Sequence, residues 1–107
     1  FKRAERRILI QHIPIWGDSN VYTDGYHPWT RLWNPALQDA DFDMDITAHA
    51  HRYYVLEKNV KGNPCPVIAG GGPEEKGATI MVLQKDGKEL RMRVFNTKGE
   101  TLLDRQF

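Results

Sequence analysis

Two β-rich runs, residues 79–84 and 90–95, flank the tetrapeptide Lys85-Asp86-Gly87-Lys88. Asp-Gly between such runs is the strongest short-range hairpin signal, because the glycine supplies the positive φ of a turn matched to strand twist. Within the second run Leu90, Met92 and Val94 alternate with Arg91, Arg93 and Phe95, giving one apolar face and one mostly charged face. A second turn, Lys98-Gly99, leads into residues 101–107. The C-terminal third is therefore expected to be an antiparallel meander.

The upstream part reads as short strands around one helix. Residues 7–12 hold three consecutive apolar residues, two of them β-branched. Such a run suits a strand covered on both faces, as in a parallel sheet. Residues 43–48 read as a second strand, 53–57 as a third and 67–69 as a fourth, the last running into Gly70-Gly71-Gly72-Pro73. Residues 59–66 are a turn-rich connection. A helix is expected over residues 29–40, where Trp29, Leu32, Trp33, Ala36 and Leu37 form one stripe at i, i+3, i+4, i+7 and i+8. Pro35 interrupts that pattern, and a start with Asn34 as N-cap and Pro35 at the first helical position is the alternative. Residues 13–28 form a long connection rich in turn formers and aromatics, and loops of that length in a compact domain are often functional.

Composition narrows the function. With 107 residues, 40% apolar and 27% charged, the chain is one globular unit. Fifteen basic against 14 acidic residues leave a net charge of +1, which argues against a nucleic-acid binder built on a dominant basic field. Lys2, Arg3, Arg6 and Arg7 read as the solvated end of a helix or linker, with a phosphate-binding patch as the alternative. No apolar run approaches the roughly 18 residues of a membrane span. The chain begins at Phe1 and meets Ile8-Leu9-Ile10 almost at once, so the expectation is a piece of a longer protein. The single cysteine, Cys65, lies between two prolines and is expected to be inert. The triple glycine lacks the Lys-Ser/Thr of a phosphate loop and reads as a tight turn or close backbone passage.

Chemistry concentrates in the histidines. Of the four, His12 ends the first strand, and His49 and His51 follow the second. Ligands gather at the carboxyl ends of strands in open α/β sheets. If those strands are parallel neighbours joined by the helix, the three imidazoles share one sheet edge. In extended backbone the i and i+2 residues of His-x-His point to one side. Three histidines suffice for a zinc-type centre with an open position. A His-x-His pair also arises by chance, and buried histidines are often only hydrogen-bonded core residues. His27 has no histidine neighbour and reads as a surface residue.

The segments Ile8-Leu9-Ile10-Gln11-His12-Ile13-Pro14 and Phe42-Asp43-Met44-Asp45-Ile46-Thr47-Ala48-His49-Ala50-His51-Arg52-Tyr53, with a variable loop and helix between them, resemble the C-terminal part of a calcineurin-like metallophosphoesterase, the purple acid phosphatase branch being nearest. In that family a strand ends in a metal-binding histidine, often followed by proline, and a later strand ends in Gly-His-x-His trailed by an aromatic. The resemblance covers essentially the whole chain. It implies an α+β fold: a β-rich fragment of a four-layer α/β/β/α metallophosphoesterase sandwich, with one helix and a C-terminal antiparallel meander, residues 1–107 being the C-terminal portion of that domain. It implies two divalent or mixed-valence ions (zinc, iron or manganese) about 3.5–4 Å apart, with a metal-bound hydroxide attacking a phosphate-ester substrate in line. His12 and His49 would hold one ion together with a bridging Asp and an Asn, and His51 the other. His27, Tyr26 and Tyr22 fall where a substrate-binding loop would lie.

Two positions depart from the family pattern. Ala48 replaces the glycine before the first histidine of the pair, where glycine permits close approach or positive φ. Asp45 occupies a usually apolar strand position, and would face solvent, meet a partner such as Arg52, or mark an altered site. The family's Asp-x-His, Gly-Asp-x-x-Asp and Gly-Asn-His-Asp/Glu motifs are absent from these 107 residues. The N-terminal half of the same domain is thus an expected partner, and the chain alone is expected to be inactive. Two alternatives remain: a non-catalytic β-rich module binding sugar or peptide through Trp16, Trp29, Trp33, Tyr22 and Tyr26, and a mononuclear zinc protein using His12, His49 and His51. Amidohydrolase barrels, which also use His-x-His, need roughly 250 residues.

Overall fold

In chain order the elements are β1 (Ile8–Ile10), α1 (Pro28–Gln38), β2 (Met44–Thr47), β3 (Tyr54–Leu56), β4 (Val67–Ala69), β5 (Thr79–Asp86), β6 (Glu89–Asn96) and β7 (Thr101–Gln106). The computed structural model describes residues 4–16, 28–74 and 77–107, the side chains of 28–30 excepted. β1 pairs in parallel with β2, Ile8 beside Met44 and Ile10 beside Ile46. Parallel neighbours need a long crossover, and α1 lies within it. β4 pairs in parallel with the other side of β2, and β3 runs antiparallel to β4, for the order β1-β2-β4-β3. The second sheet is the expected meander, β5-β6-β7.

The alternation read in residues 90–95 decides how the sheets meet. Leu90, Met92 and Val94 point inward and pack with Met44 and Ile68 of the first sheet in one buried cluster. Ile15, Trp16 and Val67 form a second cluster, with Leu9, Leu37 and Leu56 against it, on the side of the first sheet that carries α1. The described residues thus form an α+β arrangement of helix, sheet and sheet. Each large apolar side chain fully buried in it contributes ~1.5–3 kcal/mol.

The elements fall where the sequence places them, with three corrections. Ile10 is 74% exposed, so β1 is not covered on both faces. It is an edge strand among the described residues. The helix runs through Pro35 instead of starting beside it. Tertiary bonds hold it there: Asn34 Oδ1 accepts from the buried Trp16 Nε1 at 2.8 Å and from Gln38 Nε2 at 2.7 Å, and Gln38 also donates to the Gly62 carbonyl. The stripe is not the buried face either. Leu32 is 65% exposed and Trp33 and Ala36 are exposed as well, leaving Leu37 on the core.

Arg6 and Arg7 are structural rather than solvated. Both Asp43 carboxylate oxygens are taken, one by Arg6 Nη1 at 2.8 Å and one by the Arg7 amide at 2.7 Å, while Arg6 Nε donates to the Lys88 carbonyl. The segment before β1 is thereby tied to β2 and to the β5–β6 hairpin.

Candidate metal centre

Because β1 and β2 are parallel neighbours, both chains leave the sheet at one edge, and the backbone there is clamped. The His12 carbonyl accepts the Ala48 amide at 3.1 Å and the Thr47 hydroxyl at 3.2 Å. Thr47 is buried, so this clamp is shielded from water. His49 then adopts a left-handed conformation, φ 62°, and its ring comes to the His12 ring. His49 Nδ1 and His12 Nε2 are 3.3 Å apart, the ring centroids 5.1 Å apart and the planes inclined at 81°.

That spacing has two chemical uses. Between neutral tautomers, one ring donates an N–H and the other accepts. With both nitrogens unprotonated, the two lone pairs serve one cation. Zn–N bonds of 2.0–2.1 Å at a tetrahedral angle hold two ligand nitrogens about 3.3–3.4 Å apart. The spacing of the pair matches that of two ligands on one ion. Both histidines are exposed, so an ion reaches them from solvent.

His51 stands apart. The backbone at 48–52 is bent rather than extended, with positive φ at both His49 and His51, so the two side chains of His-x-His do not share a side by strand alternation. His51, φ 55°, packs instead on Gly72, at the Gly-rich turn after β4. Among the described residues no three His, Cys, Asp or Glu side chains gather where an ion could be held. The three-histidine mononuclear site is thus not assembled: His12 and His49 come together, and His51 does not join them.

The two departures resolve differently. Ala48 has no positive φ, because the left-handed step falls on His49, and alanine fits without strain. Asp45 neither faces solvent nor meets Arg52. It is fully buried, with Oδ2 accepting from Gln11 Nε2 at 2.7 Å and Oδ1 lacking a partner among the described residues. Burial pushes its carboxyl up to about 7, against the lowering pull of the Gln11 bond. Cys65 is buried, and burial followed by the Asp45 charge pushes its thiol up to about 12, in keeping with an inert cysteine. Arg52 lies over the Tyr54 ring at 5.8 Å.

His27, Tyr26 and Tyr22, the substrate-loop candidates, lie outside the described residues, as does most of the loop that carries them. Trp16 is buried and hydrogen-bonded to Asn34, which removes it from any aromatic binding surface. The triple glycine is a close backbone passage: a Cβ on Gly71 would run into the Gly77 carbonyl oxygen, and one on Gly72 would meet His51. Sequence reasoning missed one contributor, Thr47, whose signal was a hydroxyl at the end of a buried strand.

No family model matches the sequence, and no match is found among curated proteins. Similar solved structures include vacuolar protein sorting 29 from Cryptosporidium parvum, with 20% identity, 77% of this chain and 44% of that chain covered, and a TM-score of 0.47. A conserved protein from Streptococcus pneumoniae, a predicted phosphoesterase, has 12% identity over 84% of this chain and 49% of its own, with a TM-score of 0.46. Vacuolar protein sorting 29 from Entamoeba histolytica, solved with Zn2+, has 18% identity over 78% and 47%, with a TM-score of 0.41. The chain spans about half the length of each.

Proposed function

We propose that the chain is the C-terminal half of a metal-dependent phosphoesterase of the calcineurin-like type, inactive by itself. The observation that carries this reading is the His12–His49 pair, two ring nitrogens 3.3 Å apart at the carboxyl ends of adjacent parallel strands. In this reading His12 and His49 would hold one ion and His51 a second, with the remaining ligands and a proton donor supplied by the N-terminal half. The ions supply Lewis acidity and an activated water to a phosphate ester. This chain's own residues fix ligand positions: Thr47 and Ala48 clamp the His12 backbone, and the left-handed turn at His49 brings the second ring to the first. The aromatic following His-x-His, Tyr53, favours the purple acid phosphatase branch within that reading.

Zinc titration followed through the histidine ring resonances tests it. His12 and His49 are expected to shift together, ahead of His27. An equal response of His27, or none from His12, overturns the assignment.

A further inference from the structure

The outer face of the second sheet is not charged throughout. Leu90, Met92 and Val94 pack inward, so Arg91, Arg93 and Phe95 take the other face, with Gln84, Val82 and Ile80 beside them on β5. α1 lies beyond the first sheet, and among the described residues no helix covers this face. One end of it is apolar. Ile80 pairs with Phe95 across the strands and is 67% exposed, and Leu102 of β7, at the same end, is 40% exposed. Val82 and Phe95 are half-buried beside them. Single apolar side chains are ordinary on a surface, whereas a contiguous group marks a binding face. Charge singles out the same end. Arg93 stands opposite Asp104 in the register, but Arg91 bonds both Asp104 oxygens, at 2.7 and 2.6 Å. Arg93 has one side-chain hydrogen bond among the described residues, a long one of 3.3 Å to Gln84 Oε1. Its Nε has none there, and its guanidinium carbon lies 6.0 Å from the Phe95 ring centre. A cation without a bonded carboxylate thus adjoins the apolar group.

We propose that the outer face of β5-β6-β7 is a docking surface for an acidic, apolar segment of another protein, whose carboxylate pairs with Arg93 while its apolar side chains cover Ile80, Phe95 and Leu102. Arginine and aromatic side chains are the commonest anchors of such surfaces, and a guanidinium takes a carboxylate through two parallel bonds. Outward residues of one strand are about 7 Å apart, which sets the spacing of the partner's groups. A carboxylate two residues from an apolar side chain in an extended segment, or four residues from it in a helix, meets both features. A second copy of this chain does not supply that carboxylate. Asp104 is spent on Arg91, and the other acids of this face, Asp86 and Glu89, stand at the hairpin end, away from the apolar group. With apolar ends together, a two-fold axis lays like rows over like rows or carries the hairpin ends further apart, and neither brings Asp86 or Glu89 to Arg93. The inference is independent of the metal reading.

The test is selection of a random-peptide phage library on the full 107-residue chain, followed by affinity measurement and NMR mapping of the enriched peptides. Enriched peptides are expected to carry Asp or Glu two or four residues from a Leu, Ile or Phe. They shift the resonances of Ile80, Arg93, Phe95 and Leu102 and leave those of His12 and His49 in place. Arg93→Glu weakens their binding by about tenfold or more, the scale of a lost charge pair at an interface. Replacing the peptide's acid by Lys restores binding to Arg93→Glu and abolishes it for the wild type. Ile80→Ser weakens both pairings alike. Ile80 is exposed, so this variant keeps the core intact, and Arg93→Gln carries the charge test if Arg93→Glu does not fold. No enrichment overturns the proposal, as do enriched peptides that lack an acid, bind elsewhere or ignore Arg93. Concentration-dependent dimerisation by sedimentation, lost in Ile80→Ser, also overturns it, because the occupant is then a second copy.

Discussion

At the scale of single residues, the site is made by backbone conformation more than by side-chain type. The histidines were legible because they end apolar runs. What was not legible was that His49 itself takes the left-handed step, which frees Ala48 from needing to be glycine. The Thr47 hydroxyl on the His12 carbonyl is the clamp. Thr47→Val keeps volume and strand propensity but removes that bond, so it is expected to weaken zinc binding at His12 and His49 while costing ~1–3 kcal/mol of stability, read by titration and urea unfolding. Asp45 predicts a pH dependence. Its folded pKa of about 7 lies above the unfolded carboxylate value, so the native state binds the extra proton. Stability from this group is therefore greatest at low pH and falls as pH rises through the window from ~4 to ~7, by up to about 1.4 kcal/mol per unit. Asp45→Asn is expected to flatten that slope and to be more stable than wild type at pH 8; an unchanged slope in urea titrations across this window contradicts the assignment.

At the scale of elements, periodicity 2 was far more informative than periodicity 3.6. The β6 alternation placed Leu90, Met92 and Val94 in the core because a sheet face is all or nothing in register. The helix stripe failed because Asn34 and Gln38 hydrogen bonds and Leu37 hold α1 to the rest of the molecule, while Leu32 and Trp33 face outward. Two substitutions separate these modes: Leu32→Ser is expected to change stability by no more than ~0.5 kcal/mol, and Leu37→Ser to cost more than ~1 kcal/mol, by denaturant unfolding. The hairpin depends on backbone freedom. Gly87 has φ 57° and nothing within 4 Å of an added Cβ, so Gly87→Ala isolates the conformational cost, expected to be ~1–2 kcal/mol.

At the scale of the whole molecule, the described residues provide a helix and two sheets, with β1 left as an edge and Ile10 exposed at it. Under the proposed reading, an N-terminal half would pair with that edge and complete the two-histidine cluster. The near-neutral charge then loses its apparent conflict with an anionic substrate, because metal ions rather than Lys and Arg would neutralise phosphoryl oxygens. The isolated chain with added zinc, manganese or iron is expected to leave a generic phosphate monoester unhydrolysed in a colorimetric assay; turnover by the chain alone contradicts the half-site account. The central claim is that His12 and His49 are joint ligands of one ion, and the zinc response of the His49 ring in the wild type and in His12→Ala tests it most directly. His49 is expected to respond in the wild type and largely to lose that response when His12 is removed; a His49 response indifferent to His12 means that the two rings share no ion.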